Sequence, residues 1–152
     1  MARLLAYWRT QAWPLVHIRH DSVSAASPYA PGKASHAFKS EVMPEANEVI
    51  IGKKTNNAFV GTRLEGHLRA RGIEDVIICG VLTQHSVDST ARMAASLGFD
   101  VTVVSDATAA TEVVDARGVT WAAEDVHELT FAHLAADYAV IATTHEVMAN
   151  QS

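Results

Sequence analysis

The chain has 152 residues, 49% of them hydrophobic and 19% charged, enough for one full core and too few for two ordinary domains, so residues 1–152 read as one domain. A formal net charge of -5, with Lys and Arg scattered along the chain, argues against nucleic acid as a partner. Cys79 is the only cysteine, the eight histidines show no metal-ligand spacing, and neither a signal-peptide core in Met1–Leu15 nor a bilayer-length apolar run occurs; a cytoplasmic protein with no metal, no cofactor and no membrane partner is expected.

Leu4, Leu5, Trp8 and Ala12 share one face of a predicted helix over 2–12, which Pro14 ends. Leu15-Val16-His17-Ile18 reads as a strand. Residues 21–48, rich in Ser, Ala and Pro and without a sustained period, read as a long surface loop, and loops of that length inside compact domains are often functional. Val49-Ile50-Ile51 is a short strand that runs into polar Gly52-Lys53-Lys54. Thr62 and Glu65 have the spacing of a capping box for a helix that buries Leu64 and Leu68 and stops at Gly72.

Val76-Ile77-Ile78-Cys79-Gly80-Val81-Leu82 is apolar without alternation, as expected of a central strand covered on both faces, with Cys79 as a small buried hydrophobe. Residues 86–97 read as a helix with Val87, Ala91, Ala94 and Ala95 inward, 101–104 as a strand ending at Ser105-Asp106, 121–136 as a helix capped by Thr120, and 138–142 as the last strand. Trp8, Trp13 and Trp121 fall at helical or helix-edge positions, where core or subunit packing is the default. Strands alternating with helices imply a three-layer α-β-α, Rossmann-like, mostly parallel sheet. Ligands bind outside the carboxyl ends of such strands, which places Lys53, Thr83 to Ser86 and Asp106 at one rim.

The stretch from Ile78-Cys79-Gly80-Val81-Leu82-Thr83 through Gln84-His85-Ser86-Val87 to Ser89-Thr90-Ala91 resembles the signature of the isochorismatase-like cysteine hydrolases, which include nicotinamidases, N-carbamoylsarcosine amidohydrolases and isochorismatase. Lys53, with Ala58-Phe59, Gly61-Thr62 and Leu64 behind it, is similar to the family's catalytic-lysine segment. His17 to Ser22, Gly98 to Val101 and Ser105 to Ala107 extend the likeness over nearly the whole chain from Leu4 onward.

The resemblance implies a hydrolase for a small C–N substrate of the amide type. In the family a cysteine thiolate at a helix N-terminus attacks a carbonyl, an aspartate handles protons and a lysine holds charge, an arrangement that lowers the thiol pKa. Ser86 occupies the cysteine position, and a hydroxyl needs a strong adjacent base to act as nucleophile; the bland alternative is a serine that only caps its helix. By resemblance a non-proline cis peptide lies between Val81 and Leu82, the oxyanion hole is built from Val81, Leu82 and Ser86, and Asn57, Phe59, Thr83 and His85 contact substrate. Lys53 and Ser86 are the expected catalytic pair.

Family members begin with an apolar strand that ends in Asp and sits beside the nucleophile strand. Here the chain opens on what resembles the family's first helix, so an N-terminally incomplete form of the fold is expected, lacking its first strand and leaving a gap at the sheet's centre. No residue aligns with the catalytic aspartate; Asp21 and Asp106 are the carboxylates nearest the rim. Three readings follow: an impaired amidohydrolase, a vinyl-ether hydrolase like isochorismatase, which still needs a positioned acid, or a non-catalytic protein that binds a small molecule or another subunit. Assembly into a homo-oligomer, dimer or tetramer, is expected from the family and from the incomplete sheet.

Overall fold

A computed structural model describes residues 1–150. Strand β1 (Val16–His20) runs parallel to β2 (Val49–Lys53), with Ile18 opposite Ile51 and His20 opposite Lys53. Strands β3 (Asp75–Val81), β4 (Asp100–Ala109) and β7 (Val140–Ala142) form a second parallel sheet in the order β3-β4-β7. A small antiparallel hairpin, β5 (Val113–Val114) with β6 (Thr120–Trp121), follows β4.

Among the described residues no ladder joins the β1–β2 pair to the three-stranded sheet. One apolar cluster nevertheless spans both. It combines Ile51 of β2, Val101 and Val103 of β4, Leu64 and Leu68 of α2 (Leu64–Arg69), Ala91 and Ala94 of α3 (Asp88–Ser96), and Phe131 and Leu134 of α4 (Ala123–Asp137), with Val16, Ile18, Val76 and Ile78 packed against it. A second cluster joins Leu4 of α1 (Ala2–Thr10), Val104 and Ala107 of β4, and Val147 of α5 (Thr144–Asn150). Helices therefore cover both faces, giving the expected α/β architecture with its parallel strands.

Several local expectations change. The capping box does not form: Arg63 is the N-cap of α2, and the Thr62 hydroxyl instead donates to the Ala58 carbonyl at 2.6 Å and accepts from the Leu64 amide at 3.2 Å. Strand β4 runs on through Ser105 and Asp106 to Ala109, because Gly80 and Val81 pair with Thr108 and Ala109 beyond a register shift. Trp121 is 44% exposed in the hairpin, not on a helix, and α4 starts after it.

β3 is packed on both faces, Ile78 against the first cluster and Ile77 against the second, but it is an edge strand and not the centre of the sheet. Its register breaks between Ile78 and Gly80, Gly80 takes φ 134°, Cys79 is exposed, and Val81 is 54% exposed. The physical reason is the missing ladder: β4 covers one edge of β3 and, among the described residues, no strand covers the other. Burial still pushes the Cys79 thiol up from its ordinary range, although the residue as a whole is exposed.

Candidate active site

The strand period of two decides which side chains reach the site. In β2 the buried residues are Ile51 and Lys53, so the lysine emerges on the core face one step beyond the apolar cluster. In β1 Ile18 packs against that cluster, and His20 follows it on the same face, opposite Lys53. The carboxyl ends of the two strands thus deliver an imidazole and an ammonium to one spot.

Lys53 is only 5% exposed. Its Nζ donates to the carbonyls of Thr55 and Asn56, at 2.9 Å each, and lies 2.9 Å from Ser86 Oγ and 3.3 Å from His20 Nδ1. Those partners are neutral, and burial lowers the Lys53 ammonium from its ordinary value of 10.5 to about 8. Burial also lowers His20, with the adjacent Lys53 charge acting in the same direction. The Tyr29 ring stands edge-on to His20, 5.9 Å between centroids, which brings the long loop after β1 against the site.

The loop that supplies the two carbonyls is strapped to α3. Asn57 Nδ2 donates to the Ser89 carbonyl at 2.8 Å, Asn57 Oδ1 accepts from the Phe59 amide at 2.9 Å, and the Ala58 amide donates to Thr90 Oγ1 at 3.1 Å. Phe59 packs against the main cluster, its ring 5.8 Å from that of Phe99.

Ser86 lies after β3, within a single π-helical turn over Thr83–Val87 that precedes α3. It is not the cap of that helix; α3 follows from Val87, and the hydroxyl points to Lys53 instead. π-turns of this kind are rare and cluster at functional sites. The turn is entered through the Val81–Leu82 peptide, which is cis, and the Leu82 carbonyl accepts from the amides of both His85 and Val87, at 3.2 Å each. Thr83 is fully buried, its hydroxyl 3.0 Å from His127 Nδ1, while His85 is exposed at the rim. Gln84 Nε2 donates to Thr111, while its buried Oε1 has no hydrogen-bond donor among the described residues.

Neither carboxylate near the rim reaches this centre. Asp21 lies on the opposite face of β1 from His20, held by Arg19 at 2.8 Å and His36 at 2.7 Å, and its side chain occupies the space where a Cβ on Gly52 would stand. The Arg19 hydrogen bond keeps the Asp21 carboxyl below the usual range, with burial opposing it and His36 assisting. Asp106 binds the amide and hydroxyl of Thr144, at 2.7 and 2.8 Å, at the start of α5. A broad open groove lined by Arg63, His67 and Arg71 lies along α2 and contains neither Lys53 nor Ser86.

Lys53 and Ser86 are therefore brought together; Leu82 and His85 belong to the same turn region as Ser86, Asn57 braces the lysine loop, and Thr83 ties the turn to His127. Sequence reasoning overlooked His20, the Thr55 and Asn56 carbonyls, and His127. His20 had a signal: it ends β1 as Lys53 ends β2, and parallel strands in register bring such residues side by side.

The profile of the isochorismatase domain matches residues 1–146. The chain is 36% identical over 148 residues to the uncharacterized isochorismatase family protein YrdC of Bacillus subtilis, spanning 97% of this chain and 79% of that protein. It is 34% identical over 112 residues to a streptothricin hydrolase of Streptomyces noursei, spanning 72% of this chain and 40% of that protein. The structure superposes on that of an isochorismatase-family protein from Chromobacterium violaceum with a TM-score of 0.94 and 42% identity, covering 97% of this chain and 77% of the other. The chain belongs to the isochorismatase family of hydrolases.

Proposed function

We propose that the mouth formed by Lys53, Ser86 and the Leu82–His85 turn receives a small carbonyl compound with a C–N bond, and that hydrolysis of ordinary amides there is impaired. The observation that carries this reading is the 2.9 Å contact between a buried lysine and a hydroxyl at the strand-to-helix turn, with no carboxylate among the described residues bonded to either. The amine of an amide is a poor leaving group unless an acid protonates its nitrogen, and the nearby carboxylates are committed elsewhere. The hydrolase activity named for the Streptomyces relative supports the substrate type, and the family resemblance supports the C–N bond. Backbone amides of Val81, Leu82 and Ser86 are the proposed oxyanion donors, and exposed His85 and the Phe59 edge are the proposed walls.

The test is a titration with nicotinamide and with N-carbamoyl amino acids, followed by the imidazole resonances of His20 and His85. Saturable shifts of these two, lost in a bulky Ser86→Trp variant, support the reading. Shifts confined to His67 in the α2 groove, or no saturable shift, overturn it. Binding with amide turnover at background confirms the impairment; rapid amide hydrolysis sinks it.

A further inference from the structure

Lys53 is surrounded in a way that assigns a direction to a proton. A neutral lysine amine has two N–H donors and one lone pair, arranged tetrahedrally. The Thr55 and Asn56 carbonyls are acceptors only, so in the neutral amine they take the two N–H groups. The lone pair is then left for the remaining partner at 2.9 Å, Ser86 Oγ, whose hydroxyl can donate. His20 Nδ1 is further away, at 3.3 Å, and among the described residues is the one other titratable group facing Nζ across the β1–β2 pair; the loop after β2 contributes carbonyls and the turn before α3 contributes the hydroxyl.

We propose that Ser86 is an acylatable nucleophile with neutral Lys53 as its base, giving a covalent acyl-enzyme from activated esters. This deepens the reading of the site given above and rests on it for the substrate type. A serine hydroxyl becomes a nucleophile when a neighbouring base takes its proton, and a desolvated lysine is a recognised form of that base. In the acylation step the Oγ–H bond breaks and its proton passes to Nζ. The Oγ lone pair forms a bond to the carbonyl carbon, and collapse of the tetrahedral adduct expels the leaving group. A phenolate leaves without protonation, so esters of acidic phenols need no proton from the Lys53 ammonium formed in the step, whereas an amine does. The Lys53 ammonium formed in acylation first releases its proton to solvent; water then attacks the ester carbonyl, one of its protons passes to Nζ and on to Oγ as the adduct collapses, and the carboxylic acid departs. Lys53 needs to be neutral at the start of each step, and its depression by burial makes that state available in mildly alkaline solution.

The experiment uses p-nitrophenyl acetate with the Cys79→Ser chain, since the exposed thiol would otherwise compete. Expected are a p-nitrophenolate burst of one equivalent, an acetyl group located on Ser86 by peptide mass spectrometry, and an acylation rate that climbs with pH and levels off above a midpoint of about 8. Ser86→Ala removes the burst. Lys53→Met lowers the acylation rate by about 10²-fold or more, the usual contribution of a positioned base, and Lys53→Arg, folded and charged but unable to accept a proton, lowers it similarly. Acetylation found only on surface lysines, or an unchanged Ser86 rate in Lys53→Arg, overturns the proposal. Should Lys53→Met not fold, the parent chain's pH profile and Lys53→Arg still decide. Ester acylation without amide binding would sink the substrate reading and leave the dyad standing; amide binding without acylation would do the reverse.

Discussion

Asn57 ties the lysine loop to the helix that follows Ser86: its Nδ2 donates to the Ser89 carbonyl at 2.8 Å, while its Oδ1 takes the Phe59 amide at 2.9 Å. Thr55 and Asn56, whose carbonyls hold Lys53, immediately precede this anchor. Asn57→Ala is expected to cost about 1–3 kcal/mol, from partners left unsatisfied. It should also let the Lys53 loop open to water and return the ammonium toward its ordinary range. Denaturant melts and the amine's NMR titration measure the two effects, and an Asn57→Asp variant should recover only the Phe59 contact.

Lys53 makes stability depend on alkaline pH. Its folded value of about 8 lies below the ordinary 10.5, so between those values the unfolded chain binds a proton that the folded chain has released. Stability therefore rises as pH increases through that window, and Lys53→Met should abolish the rise. Parallel urea melts at pH 7.5 and 10 read it; equal slopes in parent and variant would remove Lys53 as the source.

Glu48 acts in the opposite pH range. It binds Arg9 at 2.7 Å and His17 at 2.8 Å, linking α1 to β1, and the Arg9 hydrogen bond is the main cause of a carboxyl lowered from 4.5 to about 2. Below 4.5 the unfolded carboxyl gains a proton before the folded one does, so this stabilisation is full above 4.5 and is lost as pH falls toward 2. Glu48→Gln should lower the melting temperature at neutral pH and flatten the acid limb of the stability curve. An unaltered acid limb in the variant would count against Glu48.

Cys79 reports on the open edge of β3. A thiol in a sheet covered on both edges is inert, whereas this one is solvent-exposed with a raised pKa. It should react with a small disulfide reagent in the native state, slowly at pH 7 and faster at pH 9, at a rate independent of denaturant at low concentration. Labelling that appears only on unfolding would show that the edge is closed in solution.

The fold class was legible because its signals are local. Apolar runs of strand length, the stops at Gly72 and Gly98, and the inward stripe of Val87, Ala91 and Ala94 need no knowledge of distant partners. The convergence of Lys53 and Ser86 was legible too, since one ends a strand and the other follows a strand of a parallel arrangement, at its carboxyl end. Thr120 and Trp121 misled for a related reason: a polar cap before an apolar residue looks alike at a helix start and in a two-residue hairpin strand, and pairing with Val113 and Val114 decided between them.

What the sequence by itself determined is therefore the set of elements and the ends at which polar residues cluster, because periodicity and turn chemistry act over a few residues. Tertiary structure alone decided the charge state and company of Lys53, the occupation of Asp21 by His36 and Asp106 by Thr144, and the open edge that leaves Cys79 exposed. Each of those depends on which groups from remote segments meet across a desolvated space, and desolvation is a property of the packed chain rather than of any stretch within it.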